Sequence, residues 1–451
     1  MSNYLEKKYG LPTAICMVVG IVIGSGVFFK AETVLKKTGG NMPMGILAWL
    51  IVGIIMIICS YDFATIATRN KNANGLVDYA EISMGSRYAY NVGWFMAVIY
   101  SPCLVSVLAW VSARYICVLI GWGDQITGGS CMTIACLLLC LDYALNALAP
   151  RLAGKFQVST TFVKMVPLVL MAVVGTMVGV SSGRMGENFA NVAIASLGGE
   201  GLMASAVAVA FAYEGWIQVI SIDAELKDSK RDLPRALIIG SFIVVATYIC
   251  YYIGLTGAVS TEELMASGEA AAKMAFQRVF GGFAGTLVFA LIVVSCIGTL
   301  NGLMLACCRG MYAISIKGLG PKPEMFSQVD PITNMPNNSA IFSLAVDAFW
   351  LFYFYGANLG GGWFGNFNFD SSELPIISLY AMYVPLFIQL IFTGKELNVF
   401  KRYVMPGLGL AGCVFMVYAA FAGYGVSTCM HYLIVFAVIM IIGNLFYKKK
   451  N

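Results

Sequence analysis

Residues 20–26 read GIVIGSG and lie within an apolar run that extends from Leu11 to Phe29. Three glycines in seven residues weaken a helix, because each glycine costs about 1 kcal/mol relative to alanine. At membrane depth, non-helical backbone survives only where it lines a protein cavity. This stretch therefore predicts a membrane helix that is interrupted beside a cavity.

The composition of the whole chain is that of an integral membrane protein. Its 451 residues are 59% hydrophobic and 11% charged, whereas soluble proteins carry about 25% charged residues. A bilayer-spanning helix needs about 20 largely apolar residues, and we find this pattern twelve times. The predicted spans are Leu11–Phe29, Pro43–Thr68, Asn91–Ile120, Cys131–Leu148, Phe156–Val180, Leu202–Ile222, Ala236–Val259, Ala284–Ile314, Ala340–Tyr355, Leu374–Phe392, Val404–Tyr424 and Tyr432–Phe446.

The positive charges lie mainly between alternate spans. With a cytoplasmic N-terminus, 20 of the 28 Lys and Arg residues fall in inner loops and tails, seven fall near the outer side, and Lys164 lies inside a span. This asymmetry satisfies the positive-inside rule, so both termini are expected in the cytoplasm. The chain is predicted to be one multi-pass transmembrane domain, residues 1–451, of a cell membrane of the bacterial inner-membrane type.

Several classes of function are disfavoured by the composition. His431 is the only histidine, and no nucleophile–base pair is evident, so an enzyme is not expected. The 13 cysteines lie mostly in apolar runs without paired CxxC spacing, which predicts neither a metal site nor a cofactor. The net charge of +5 is spread over the loops and forms no basic face, which argues against a nucleic-acid partner.

A second interruption, FAYEGW at residues 211–216, occurs five spans after the first. Unwound helix leaves free N–H groups at one half-helix start and free C=O groups at the other half-helix end. A zwitterionic α-amino acid needs both, the donors for its carboxylate and the acceptors for its ammonium. Glycines in membrane helices also serve close packing alone, and this alternative stays open for either break taken singly. Two breaks at matching places favour a transport site between them.

Lys164 lies well inside the predicted fifth span, where a cationic side chain costs at least about 2.5 kcal/mol. No acid lies within one helical turn, so neutral partners are expected. These are carbonyl groups of the interrupted first helix and a hydroxyl group of the eighth span, from Ser295 or Thr299. The alternative is a lysine that extends to the membrane interface.

Three motifs together resemble the amino acid–polyamine–organocation superfamily. Residues 20–28 resemble its first-helix signature. Residues 211–216, with LPRA at 233–236, resemble the sixth-helix region of the L-type amino acid transporter branch, and GTLNG at 298–302 is similar to that branch's eighth helix. The similarity runs from about Leu11 to the tenth span and is nearest to bacterial serine/threonine-type exchangers.

The resemblance implies an architecture as well. It implies an all-α membrane protein with the LeuT-type fold, in which residues 11–180 and 202–392 form two inverted repeats of five helices each. Residues 404–446 would then supply two additional helices, which completes the twelve spans.

The resemblance also implies roles for residues at both breaks. The substrate carboxylate would bind the hydroxyl and amide of Ser25 and the amide of Gly26, and Lys164 would stand where sodium-driven relatives hold a sodium ion. The ammonium would bind carbonyl groups, and Phe211 would be the aromatic gate over the substrate. Glu214 replaces the Asp or Gly of relatives, and its carboxylate either faces the substrate or caps half-helix amides. The carbonyl groups that would bind the ammonium are those near Val22, Phe211, Ala212 and Glu214.

Two transport mechanisms are compatible with these features. The first is sodium-independent exchange of small neutral L-amino acids by alternating access, that is, an antiporter. The alternative is a proton-coupled amino acid symporter in which Lys164 gains and loses the proton. Partnership with a heavy subunit would need an outer cysteine near the third loop. Cys131 is roughly there but begins an apolar run, so no heavy subunit is expected, and the lipid bilayer is the expected surrounding.

Overall fold

The computed structural model describes residues 10–69, 75–190, 199–217, 220 and 226–447. These residues form long helices joined by short connections. The helices are α1 (Leu11–Val22), α2 (Gly26–Lys37), α3 (Met42–Arg69), α4 (Leu76–Met84), α5 (Ser86–Phe95), α6 (Ser101–Ile120), α7 (Gly129–Leu148), α8 (Pro150–Leu170), α9 (Thr176–Ser181), α10 (Arg184–Ala190), α11 (Gly199–Tyr213), α12 (Ser229–Ala258), α13 (Thr261–Ser267), α14 (Ala271–Phe280), α15 (Gly282–Cys308), α16 (Gly310–Ser315), α17 (Pro323–Phe326), α18 (Asn337–Phe354), α19 (Leu374–Thr393), α20 (Met405–Tyr424) and α21 (Val426–Leu445).

The all-α membrane class predicted from the sequence is confirmed. Within the described residues, ten helical segments are long and apolar enough to cross a membrane, and the bent pair α1 and α2 makes up to eleven. The predicted sixth span corresponds to α11, which has 15 residues before the chain turns. Residues 218–219 and 221–222 of that predicted span lie outside the described residues, so the count of twelve stays a prediction.

The glycine-rich stretch at residues 20–26 interrupts the first span. Helix α1 ends at Val22 and α2 begins at Gly26, and the two axes differ in direction by 47°. The interrupted helix also continues beyond its predicted end at Phe29, because α2 extends to Lys37.

The helices next to the two breaks pack as two groups. In the first group, α12 lies against α1 and α3, while α11 lies against α2, α3 and α20. In the second group, α15 lies against α6, α7 and α8, and α18 lies against α6. Helix α8 also contacts α1 and α12, and α9 contacts α12, so the two groups are joined along α8 and α9.

Candidate functional site

The first break brings helix backbone very close to its neighbours. A Cβ atom at Gly24 would lie 2.6 Å from side-chain atoms of Thr299 on α15, and one at Gly26 would lie 2.6 Å from the Cα atom of Ala212 on α11. Side chains larger than hydrogen therefore do not fit at these positions without displacing a neighbour. Glycine at residues 24 and 26 allows α2, α11 and α15 to meet at the break.

Several of the last carbonyl groups of α1 have identified partners. The Val19 carbonyl accepts from the backbone N–H of Ile23 at 2.9 Å, and the Val22 carbonyl accepts from the Tyr248 hydroxyl at 2.9 Å. A carbonyl oxygen has two lone pairs, so Val22 can still accept one more donor. Ser25 is fully buried, and its hydroxyl makes no hydrogen bond to another described residue.

The second break begins where α11 ends at Tyr213. Gly215 has a φ angle of +104°, a backbone conformation that residues other than glycine rarely adopt. A Cβ atom at Gly215 would lie 3.3 Å from the carbonyl oxygen of Ile21 in α1. The two breaks therefore lie side by side, although they are almost 200 residues apart in the chain.

A small pocket lies between the breaks. Six of its lining residues were proposed for the substrate site from the sequence: Val22, Ser25, Gly26, Phe211, Ala212 and Glu214. Its other lining residues are Ile21, Gly24, Leu104, Leu108, Gly215, Thr299 and Leu303. The three leucines, from α6 and α15, were not anticipated, because leucine in a membrane helix carries no signal that separates a pocket wall from a lipid-facing surface.

Lys164 of α8 is fully buried next to the first break. Its ammonium donates to the Gly20 carbonyl at 2.7 Å and to the Thr299 hydroxyl at 3.4 Å. The Ser295 hydroxyl, the other one named from the sequence, is buried and has no hydrogen-bond partner among the described residues. The cation thus links α8, α1 and α15, and it meets α1 in its last turn, where the helix dipole favours positive charge.

The carboxylate of Glu214 accepts a hydrogen bond from the hydroxyl of Tyr100. Tyr100 is fully buried and ends the π-helical turn Met96–Tyr100, which directly precedes α6. The carboxylate also has a hydrogen bond with the Gly215 backbone amide of the same break, which agrees with the capping alternative that the sequence left open, and the tyrosine is an additional partner from another helix. Nothing in the sequence marks this tyrosine, because the pair is separated by 114 residues.

Aromatic and charged groups cover the pocket on the side where α2 ends, which the predicted orientation makes the outer side. The rings of Phe211 and Phe29 meet edge to face at 5.8 Å between centroids. The ammonium of Lys30 lies 4.6 Å from the Phe29 centroid and 4.9 Å from the Phe211 centroid, within the range of a cation–π interaction. Phe211, the predicted gate, therefore has a partner in Phe29.

An ion-pair cluster, the outer latch, lies next to these rings and consists of Lys30, Lys37, Glu373 and Tyr424. Glu373 accepts from Lys30 at 2.6 Å, from Lys37 at 3.3 Å and from the Tyr424 hydroxyl. It directly precedes α19, outside the spanning segment. Burial alone would raise the pKa of the Glu373 carboxyl, but the two lysines outweigh burial and hold this pKa at about 2. The outer latch ties α2 to α19 and α20.

The opposite side of the pocket is closed by aromatic packing. The ring of Phe63 on α3 lies 4.8 Å from that of Tyr383 on α19 and 5.7 Å from that of Trp216, which follows the second break. Phe387 completes this group at 5.5 Å from Phe63. Aromatic groups therefore flank the pocket next to both breaks.

Two interrupted helices that meet at one pocket form the arrangement in which membrane transporters bind their substrate. Residues 9–444 match the family model for amino acid permeases. The chain belongs to this amino acid permease family, of the amino acid–polyamine–organocation superfamily, whose members are transporters and not enzymes.

Individual relatives cover nearly the full chain. The serine/threonine exchanger SteT of Bacillus subtilis (strain 168) is 30% identical over 421 residues, which are 92% of this chain and 91% of that protein. The b(0,+)-type amino acid transporter 1 of Mus musculus is 28% identical over 411 residues, 86% of this chain and 80% of that protein. An aspartate-proton symporter of Bacillus subtilis (strain 168) is 26% identical over 437 residues, which are 93% of this chain and 79% of that protein.

Proposed function

We propose that this amino acid permease is a sodium-independent exchanger of small neutral L-amino acids that works by alternating access. The substrate carboxylate would bind Ser25 and Gly26 at the start of α2. The ammonium would bind carbonyl groups at the end of α1 and at the second break, near Phe211 and Ala212. Phe211, with Phe29 beside it, would close over the bound substrate.

One contact carries the sodium-independent part of this proposal: the 2.7 Å hydrogen bond from the Lys164 ammonium to the Gly20 carbonyl. A resident cation at the end of α1 supplies the positive charge that an ion would otherwise bring there. It also fills the space beside the break, since Lys164 is fully buried. A second cation at the same carbonyl would be repelled by the first.

The pocket lining supports small neutral substrates. Where the backbone of the breaks would hold the carboxylate and ammonium, the remaining wall consists largely of Leu104, Leu108 and Leu303. An apolar wall favours an apolar or small side chain, because a charged group would lose its hydration without gaining a partner. Exchange is further supported by the similarity to a serine/threonine exchanger.

A proton-coupled amino acid symporter is the second candidate. In this mechanism Lys164 would lose its proton in one conformation and regain it in another. Two observations favour it: no acid pairs with Lys164 within the described residues, and one relative bears the name of an aspartate-proton symporter.

Purified protein in liposomes separates the two candidates. For an exchanger, uptake of labelled serine or alanine should require unlabelled amino acid inside the vesicle and should ignore an imposed pH gradient and external sodium. A symporter should accumulate substrate in empty vesicles when the outside is acidic. Uptake that requires sodium in both settings would contradict both candidates.

We further propose the setting in which this exchange occurs. Residues 11–180 and 202–392 would form the two inverted repeats, with both termini in the cytoplasm of a bacterial cell. No heavy subunit would be needed, a proposal supported by the burial of Cys131 within α7. Co-purification of a second, disulfide-linked chain from native membranes would contradict this part.

A further inference from the structure

Glu214 is an unexpected residue in the wall of a pocket for neutral substrates. It lines the same pocket as Leu104, Leu108 and Leu303, and it is 8% exposed. A carboxylate that pointed into this pocket would attract a substrate with a positively charged side chain. Within the part of the chain that the structure describes, no Lys or Arg forms an ion pair with Glu214, so its orientation decides which side chains the pocket accepts.

The Tyr100 hydroxyl sets that orientation. It donates to one carboxylate oxygen of Glu214, and the Tyr100 ring is held by packing, 6.1 Å from the Phe95 ring. Tyr100 ends a π-helical turn, which inserts one extra residue into a helical turn and often occurs at functional sites. The tyrosine therefore approaches Glu214 from a rigid helix and does not itself line the pocket.

We propose that Tyr100 is a positioning residue that makes the pocket selective for uncharged side chains. Its hydroxyl engages the Glu214 carboxylate together with the Gly215 backbone amide, and these two donors keep the acceptor from serving a substrate. This inference rests on the proposed function and explains how an acidic residue in the pocket wall is compatible with neutral substrates.

The physical basis is competition for one acceptor. A hydrogen bond from a hydroxyl to a carboxylate is charge-assisted and stronger than one between neutral groups. A buried acceptor that loses its donor is left unsatisfied, and a substrate that brings a new donor then gains affinity. The ammonium on a short side chain is such a donor. Without the tyrosine hydroxyl, the same pocket should therefore select for a cationic side chain.

Tyr100→Phe tests the inference, because it removes one oxygen atom and keeps the ring that packs against Phe95. The probes are L-2,4-diaminobutyrate, whose side chain ends in an ammonium, and L-alanine. Each is measured by substrate-induced thermal stabilisation and by counterflow in liposomes. The ratio of diaminobutyrate to alanine affinity should rise by about tenfold in the variant, a change of about 1.4 kcal/mol.

Two further variants exclude a general loosening of the pocket. Tyr252→Phe removes another buried hydroxyl, one on α12 without a hydrogen-bond partner among the described residues, and should leave the ratio unchanged. Tyr100→Phe combined with Glu214→Gln should lose the gain, since the negative charge is gone. If the gain persists in the double variant, or appears equally in Tyr252→Phe, the inference is wrong.

A second route to the same result does not alter Tyr100. Glu214→Asp shortens the acid, so that its carboxylate no longer reaches the tyrosine hydroxyl, and it should also raise the ratio. If the ratio rises in neither Tyr100→Phe nor Glu214→Asp, the inference is overturned. The proposed function fails separately, in wild-type protein, if neither alanine nor serine is exchanged.

Discussion

The two helix breaks lie side by side but are stabilised by charges of opposite sign. At the first break, Lys164 reaches in from α8 and donates to the Gly20 carbonyl at the end of α1. At the second, Glu214 belongs to the break itself and accepts from Tyr100. A cation suits the end of a helix, whose free carbonyls are negative. The first break therefore depends on the position of a separate helix, whereas the second contributes its own charge to the pocket wall.

This difference predicts that changes at the first break affect transport more than changes at the second. The largest effect is expected for Ser25→Leu, which should abolish transport in a folded protein. Ser25 is fully buried in the break and lines the pocket, so a leucine would fill the space for the substrate carboxylate. Transport is measured as exchange in liposomes, and substrate binding is measured as substrate-induced thermal stabilisation. Ser25→Ala should retain part of both transport and binding. Wild-type affinity in Ser25→Leu would remove Ser25 from the site.

Lys164→Ala should come next, with a severe loss of translocation and weaker but detectable binding. The change leaves the Gly20 carbonyl without its donor, at a cost of about 1–3 kcal/mol, and this cost falls on the conformation that the lysine stabilises. Exchange and pH-driven uptake are measured in parallel. Lys155→Ala, an exposed lysine of the same helix, is the control and should behave as wild type.

The two assays on Lys164→Ala also separate three roles. Loss of both activities supports a cation that links α8 to α1 and α15. Loss of pH-driven uptake with normal exchange would identify a proton carrier. Near-normal rates in both assays would show that Lys164 is dispensable, and the contrast between the breaks would then have no functional meaning.

Glu373→Gln should weaken closure on the side of the outer latch. It leaves Lys30 buried without its counter-charge, and breaking a buried ion pair in this way costs about 3–5 kcal/mol. Exchange should slow by about tenfold or more, and hydrogen exchange in α2 should rise. The matched control is Glu263→Gln, because the Glu263–Arg278 pair is exposed and such pairs contribute about 0–1 kcal/mol. Equal effects of the two changes would contradict a latch.

Phe211→Ala, next to the second break, should have a smaller effect. The change removes the ring that meets Phe29 at 5.8 Å, and a lid contributes both contact and closure. The apparent KM should rise and exchange should slow, by about three- to fivefold each, because Phe29 and Lys30 still cover the pocket. Unchanged kinetics would show that another residue closes the site.

The smallest effect is expected from external pH. The Glu373 carboxyl has a pKa of about 2 in the closed latch, against an ordinary value of 4.5 that it should regain once the latch opens. The ionised Glu373 carboxylate therefore stabilises the closed form fully above about pH 4.5. This stabilisation is lost only as the pH falls through about 2. Exchange by wild type should change little between pH 5 and pH 8. A steep dependence in that range would require a different titrating group.

The spans and both breaks could be predicted from the sequence because each depends on neighbouring residues. Apolar length identifies a span, and the glycines of residues 20–26 weaken the helix wherever it packs. Contacts between distant helices depend on how the helices cross, which periodicity does not specify. Lys30 and Glu373 are separated by 343 residues, and the sequence marked Lys30 only as a charge near the outer side.

The same limit applies to Glu214. Its place in the second break was evident from the motif at residues 211–216, and its uncertain orientation followed from that motif alone. The deciding group is Tyr100, one of 23 tyrosines in the chain. Only the fold, which places the π-helical turn before α6 next to the second break, distinguishes it from the others.

Tyr424 gives the C-terminal part of the chain a role beyond its bulk in the membrane. Every residue that lines the pocket precedes residue 304, so a protein truncated after Thr393 would keep the complete binding surface. It would lose the hydroxyl group that α20 donates to Glu373. Helix α20 thus lines no part of the pocket but supports it in two ways: it packs against α11, which carries Phe211, and it helps to set how long the outer side stays closed.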